Sequence, residues 1–157
     1  MSHHFVYQLR KSPIPQDEYI DDDAVWSDLV IDCNADGIEE LYGQERAAAI
    51  QELERFTKMP IENDAFIING QSKVDILLAY FNHLQECLRK ANQMTLHDFI
   101  NDESYIGVEI RNAISDKWGD LFYNEDNYGQ LETEQNFLRS TKPGDKWYVG
   151  AVFDYRG

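Results

Sequence analysis

Apolar residues recur at three- and four-residue intervals between Gly70 and Asn92, which is the clearest periodic pattern in the chain. The pattern predicts an amphipathic α-helix over about residues 72–92, roughly 31 Å long. Ser72 is positioned to cap its first turn, with Asp75 completing a capping box. Because a long helix with one apolar stripe needs a cover, we expect the rest of the chain to pack against it. The stripe consists of Val74, Leu77, Leu78, Phe81, Leu84, Leu88 and Ala91.

Short apolar runs predict the strands of a sheet. Four of these runs are residues 5–9, 24–33, 65–68 and 121–123. A fifth run, Lys146–Tyr155, is largely apolar at both alternating sets of positions, which is typical of a central strand covered on both sides. Strict alternation places Trp147, Val149, Ala151, Phe153 and Tyr155 on one face of it. The preceding Lys142–Asp145 segment, with Pro and Gly at its centre, predicts a type II turn.

Further helices are predicted from cap residues and from spacing. One helix is expected to begin near Asp36, with Glu39 at its capping-box position, and to run through Phe56, with a kink or a division at Gly43. Thr95 and Asp98 form a second capping box, which opens a short helix. The stretch Gln130–Ser140 also reads as helical. The stretch 104–117 is ambiguous, because its apolar spacing suits a helix whereas Gly107 weakens one.

Composition places these elements in one globular domain. A chain of 157 residues that is 43% hydrophobic and 13% aromatic is long and apolar enough for a single core. We therefore predict one α+β domain over residues 1–157, with a small mixed or antiparallel sheet packed against the long helix and several shorter ones. There is no apolar run of membrane-spanning length and no signal-peptide pattern. Cys33 and Cys87 are expected to be buried, reduced thiols in a cytoplasmic protein.

The net charge of the chain limits the kinds of molecule that it is expected to bind. The chain has 29 acidic and 14 basic residues, a net charge of −15, which repels nucleic acid and anionic membranes. No Lys or Arg occurs from Asp17 to Glu45. This segment predicts a surface for a basic protein, as in an inhibitor or immunity-type protein that blocks a basic active site. The alternative is that the acidity serves only solubility. The candidate partner-binding residues are Asp17, Glu18, Tyr19, Asp21, Asp22, Asp23 and Trp26.

The stretch from Asp32 to Glu40 resembles the start of the calcium-binding loop of EF-hand proteins. Oxygen-bearing residues match positions one, three, five and nine of that loop: Asp32, Asn34, Asp36 and Glu40. Gly37 suits the sharp turn at position six, whereas position twelve, normally a bidentate Glu, is Gly43. The resemblance implies an alternative function, a small calcium-dependent protein or enzyme that uses this loop, with His83 as a further side chain. The structural alternative is a polar turn that caps the next helix.

Motifs of catalysis are missing from the sequence. It contains no G-x-S-x-G, H-E-x-x-H, C-x-x-C or phosphate-cradling glycine-rich loop. His83 and Cys87 lie beside the apolar stripe of the long predicted helix, where core packing is the simpler reading. The sequence therefore favours a non-enzymatic binding module with no catalytic residues and no cofactor other than the calcium considered above.

Overall fold

A computed structural model describes residues 3–101, 105–115 and 119–157. The six strands in this part of the chain are β1 (His3–Arg10), β2 (Gly37–Glu40), β3 (Ala65–Ile67), β4 (Leu121–Asn124), β5 (Gln130–Thr133) and β6 (Lys146–Arg156). They form a single mixed sheet in the order β2-β6-β1-β4-β5, and β3 also pairs with β6. β1 runs parallel to β4, whereas the other pairings are antiparallel. The prediction that the last run forms a central strand is confirmed.

Helices cover both faces of the sheet. In the described residues they are α1 (Asp23–Cys33), α2 (Gly43–Thr57), α3 (Gly70–Gln93), α4 (Leu96–Asn101), α5 (Ile106–Ser115) and α6 (Glu134–Ser140). α1 packs on one face, and α2, α6 and the first half of α3 pack on the other. This arrangement confirms the predicted α+β class with one long helix and several shorter ones. No helix in the described ranges combines the length and the apolar character needed to cross a membrane.

Alternation along β1 divides the core into two clusters. Tyr7 and Leu9 face α2 and α6, whereas Val6 faces α1. The Tyr7 hydroxyl donates a 2.8 Å hydrogen bond to the carbonyl of Ala49, which ties β1 to α2. Burial raises the pKa of Tyr7 well above its ordinary value, so its hydroxyl stays protonated and keeps donating this bond. Cys33 lies in the α1 cluster, and both cysteines are free and buried, as expected.

A β-bulge interrupts the alternation of β6. Tyr7 lies opposite Val152 and Leu9 lies opposite Val149, so β6 carries one more residue than β1 between these pairs. The prediction that positions 147–155 alternate without interruption is therefore wrong. Trp147 and Val149 face the α2 side together with Val152. The opposite side takes Ala151, Phe153 and Tyr155.

Two predicted elements between residues 24 and 56 are wrong. Residues 24–33 form a helix instead of a strand, because Val25, Leu29 and Cys33 recur every fourth residue and all three are almost completely buried. The helix expected near Asp36 does not begin there. Residues 37–40 extend instead and pair with Arg156–Phe153 of β6, and α2 begins at Gly43.

Local signals in the second half of the chain are mostly confirmed. Asp145 N donates to the Lys142 carbonyl at 3.0 Å, closing the predicted turn. Thr95 and Asp98 exchange the two hydrogen bonds of a capping box. The helix predicted over Gln130–Ser140 is wrong in its first four residues, which pair with β4 as β5. In the ambiguous 104–117 stretch, α5 is helical, while residues 104, 116 and 117 lie outside the described residues.

The long helix is confirmed, but its cap and its cover differ from the expectation. Asn69 caps α3, because its Oδ1 accepts from Ser72 N at 3.0 Å, and Asp75 instead accepts from Gln71 Nε2 at 2.8 Å. Only Cys87 is fully buried along α3. Four of the seven residues of the predicted stripe remain exposed: Val74, Leu78, Phe81 and Leu88. The expectation that the rest of the chain covers the whole stripe is therefore wrong for this part of the structure.

Candidate protein-binding surface

The acidic residues of the predicted binding segment lie in the loop after β1 and on α1. We call them the α1 acidic surface: Asp17, Glu18, Asp21, Asp22, Asp23 and Asp28, all exposed. Asp17 and Glu18 belong to a short 3-10 turn, and Asp21 and Asp22 lead directly into the first turn of α1. The surface therefore lies on the face of the sheet opposite α2, α3 and α6.

A buried glutamine fixes the loop that carries half of this surface. Gln8 Nε2 donates to the Glu18 carbonyl at 3.1 Å, and Gln8 Oε1 accepts from Ile20 N at 3.2 Å. The same Oε1 accepts from Ala151 N at 2.9 Å, inside the bulge of β6. One side chain thus joins β1, the bulge and both ends of the loop segment that bears Glu18. The backbone of this surface is consequently held at defined points before any partner binds.

Asp21, Asp22 and Asp23 are three consecutive exposed carboxylates. Asp21 and Asp22 accept backbone hydrogen bonds through their carbonyls at the start of α1, which leaves the side chains facing solvent. None of Asp21, Asp22 and Asp23 forms an ion pair with a residue that the structure describes. Glu18 differs, because Arg10 pairs with it at 2.5 Å. The helix dipole stabilises negative charge at this end of α1, so the cluster is compatible with the fold.

The proposed aromatic anchors, Tyr19 and Trp26, are mainly structural. Both are half-buried against the core cluster under α1. The guanidinium of Arg46 also lies 5.5 Å from the Tyr19 ring, while its Nη2 donates to the carbonyl of Gly150 at 2.8 Å. Both side chains are therefore partly committed to the fold, and only part of each is available to a partner.

Two exposed side chains that the sequence reading missed extend the surface. Ile31 on α1 is 77% exposed and Tyr42, just before α2, is 62% exposed. Tyr42 Oη donates to Glu40 Oε2 at 2.5 Å. This bond is the main reason that the pKa of Tyr42 is raised, and the nearby charges of Glu40 and Asp22 add to it. Ile31 lies opposite the buried face of α1, so its exposure follows from the helical conformation that the strand prediction missed.

The four predicted calcium ligands do not lie on one calcium-binding loop. Asp32 is in the last turn of α1, Asn34 adopts a left-handed conformation with φ of 51°, and Asp36 N donates to the Arg156 carbonyl at 2.8 Å. Glu40 ends β2, which is extended and paired to β6. In the described part of the chain, no three Asp, Glu, His or Cys side chains are grouped to hold a metal ion. The calcium site stays a prediction that this arrangement does not support.

His83 lines a groove between the end of α2 and the first half of α3. The groove has a volume of about 450 Å³, and its other lining residues include Phe56, Lys58, Asp75 and Ile76. His83 Nε2 lies 3.8 Å from Cys87 Sγ, one helical turn further along. Because Cys87 is 1% exposed, its thiol is out of reach of a substrate in the groove. The pair therefore does not form an accessible nucleophile and base.

Comparison with known proteins gives no functional lead. The chain matches no protein-family model, and neither a curated protein nor a solved structure is significantly similar to it.

Proposed function

We propose that the chain is a non-enzymatic protein-binding module whose α1 acidic surface binds a basic protein. The observation that carries this proposal is the exposed Asp21, Asp22 and Asp23 cluster, which forms no ion pair with a described residue. Charges that are not neutralised within their own chain attract and orient a charged partner over several ångströms. The Gln8 network supports the proposal, because a surface held in advance loses less entropy on binding.

The most specific form of this proposal is an inhibitor or immunity-type protein. Its carboxylates would occupy positions where a basic active site, such as that of a nuclease, normally holds phosphate groups. Ile31 and Tyr42 supply apolar and aromatic area beside the charges, and residues of this kind contribute much of the binding energy in protein interfaces. We propose a cytoplasmic setting for this activity, consistent with two free and buried cysteines.

The test compares two triple variants that change the net charge equally. In one variant, Asp21, Asp22 and Asp23 are all replaced by Asn. In the matched control, three acids distant from α1 are neutralised, Glu52→Gln, Glu62→Gln and Glu109→Gln. Each protein is immobilised and exposed at low salt to lysate of the source organism, and bound proteins are eluted with salt and identified by mass spectrometry. We expect a basic protein on the wild type and on the control, and its loss from the Asn variant.

Kinetics with the captured protein then test the electrostatic mechanism. We expect the Asn variant to associate about tenfold more slowly at low salt, because charge steering contributes about 10- to 1,000-fold to association rates. The difference should shrink at about 1 M salt, where the Debye length is about 3 Å. Equal capture by all three proteins, or no basic protein on the wild type, would overturn the proposal.

A further inference from the structure

α3 carries an apolar stripe that the described chain leaves uncovered. Val74 is 57% exposed, Leu78 is 49%, Phe81 is 55% and Leu88 is 45%. We call these four residues the α3 stripe. The other side of the helix is covered: Ile76 and Leu77 pack on the main core, and Leu84, Cys87 and Ala91 belong to the cluster with α5. The stripe is thus an exposed apolar surface beside the covered side, interrupted only by Gln85 between Phe81 and Leu88, and exposed apolar surfaces of this kind mark interaction sites.

Three residues of the α3 stripe are spaced symmetrically about its centre, whereas the counterpart of the fourth, Leu78, is Leu84 on the covered side. Val74 and Leu88 each lie seven residues from Phe81, which is two helical turns on either side. Reversing the helix about Phe81 therefore exchanges Val74 with Leu88. Two identical helices packed antiparallel would bring Val74 of each copy to Leu88 of the other, with both Phe81 side chains near the two-fold axis.

Charges of opposite sign along one edge of the stripe are arranged in a similar way, about a centre one residue further along the helix. Asp75 and Arg89 each lie seven residues from Asn82, and all three lie on the same side of the α3 stripe. In an antiparallel pair centred on Phe81, Asp75 of one copy would lie about 3 Å along the helix axis from the level of Arg89 of the other, within reach of these long side chains, and this would occur twice. In the single chain Asp75 binds Gln71 and Arg89 binds Glu86, and all four side chains are exposed and free to exchange partners.

The charge of α3 also favours a second copy over a basic partner. The helix has three basic and two acidic residues, a net charge of +1, in a chain whose net charge is −15. A basic protein gains no electrostatic attraction here, and a second acidic chain meets less repulsion here than elsewhere. The α1 acidic surface lies on the opposite face of the sheet, so two copies joined through α3 would keep these surfaces apart.

We propose that α3 is a homodimer interface, in which two copies pack antiparallel across Phe81 and exchange Asp75–Arg89 ion pairs. A helix of about 36 Å with a contact strip roughly 10 Å wide buries on the order of 700 Å² in total. Stable interfaces bury about 1,200–2,000 Å², so we expect a reversible dimer with a dissociation constant in the micromolar range.

Sedimentation of the full chain over about 1–500 μM tests this interface at moderate salt, where charge repulsion is screened. Phe81→Lys places two like charges at the two-fold axis and should weaken association at least about tenfold. Ile67→Lys is the matched control, because Ile67 is 57% exposed on β3 and alternates with Phe66, which faces the α3 side of the sheet. We expect the control to dimerise like the wild type. A wild type that is monomeric throughout, or equal weakening by both substitutions, would overturn the proposal.

A charge exchange tests the antiparallel arrangement itself. Asp75→Arg places two arginines opposite each other in each pair and should weaken the dimer by about fivefold. Adding Arg89→Asp restores opposite charges and should return the dissociation constant to within about twofold of the wild type. Failure of the second substitution to restore dimerisation would exclude the proposed register. Because no basic protein is present in these measurements, their outcome is independent of the α1 acidic surface.

Discussion

Replacing Gln8 by Leu would show how strongly the β6 bulge holds the acidic loop. Gln8 is completely buried, and its amide makes three hydrogen bonds to backbone groups of Glu18, Ile20 and Ala151. Leu fills a similar volume but has no polar atoms. The substitution therefore removes the partners of three backbone groups while leaving the apolar packing largely unchanged.

The expected loss of stability follows from the burial of those three groups. A buried polar group that loses its only partner costs about 1–3 kcal/mol. Ala151 is 1% exposed, so its N–H has no access to water and should bear the full cost. Glu18 and Ile20 are more accessible, and water can replace the lost partner at a cost of about 0.5 kcal/mol each. The total is about 2–4 kcal/mol, or roughly 5–15 °C in Tm for a chain of this length.

Urea unfolding followed by circular dichroism measures this difference. Gln130→Leu is the matched control, because Gln130 is an exposed strand residue of β5 and its substitution should change stability by less than about 0.5 kcal/mol. Hydrogen exchange provides a local check, since the amides of Ile20 and Ala151 should lose protection together. If Gln8→Leu costs under about 1 kcal/mol, the network does not anchor the loop and the reasoning fails.

The glycine within the bulge should tolerate no side chain. A Cβ on Gly150 would lie 2.5 Å from Gln8 Oε1, so Gly150→Ala should cost about 1–3 kcal/mol in urea unfolding. At Gly107 an added Cβ meets no atom within 4 Å, so Gly107→Ala should raise stability by about 0.5–1 kcal/mol. A Gly150→Ala variant that is more stable than the Gly107→Ala variant would contradict the packing described around Gly150. At α4, hydrogen bonds from Thr95 hold the pKa of Asp98 below its ordinary 3.8. The capping interaction therefore stabilises α4 fully above pH 3.8, and this stabilisation is lost as the pH falls through the lowered pKa. Carboxyl titration by NMR checks this, and a pKa of Asp98 at or above 3.8 would contradict it.

Apolar spacing, capping residues and turn residues predict the elements that depend on residues close together in the sequence. The α3 periodicity, the Thr95–Asp98 capping box and the Lys142–Asp145 turn each depend on residues within one or two turns of each other. Each was therefore predictable with little error. The start of α3 differs by two residues, because Asn69 caps it from outside the apolar pattern.

Elements that depend on distant pairing were not predictable in this way. Gly37–Glu40 follows a helix-capping pattern, yet its backbone hydrogen bonds go to β6, more than a hundred residues later. The strand prediction for 24–33 failed for another reason, because β-branched residues there also fit a 3.6-residue period. Only the burial of Val25 and Leu29 against the sheet distinguishes the two periods.

In the candidate site too, features set by neighbouring residues were predictable from the sequence, whereas features set by distant contacts were not. The absence of Lys and Arg between Asp17 and Glu45 predicts a surface without internal counter-ions. The approach of Tyr42 to Asp22 depends on how β2 returns along the sheet, so no local pattern reveals it. Likewise, the apolar spacing of α3 shows which residues form a stripe, but not which part of it the rest of the chain covers.

The pairing of β1 has a consequence for how the chain acquires its structure during translation. Tyr7 and Leu9 leave the ribosome long before Phe122 and Val152, which pack beside them in β4 and β6. Because translation proceeds at about 5–20 residues per second, β1 has no strand to pair with for on the order of ten seconds after its own synthesis. Among the described strands, β1 pairs only with β4 and β6, so it remains unpaired in the nascent chain until β4 is synthesised, and synthesis of β6 lets the sheet close.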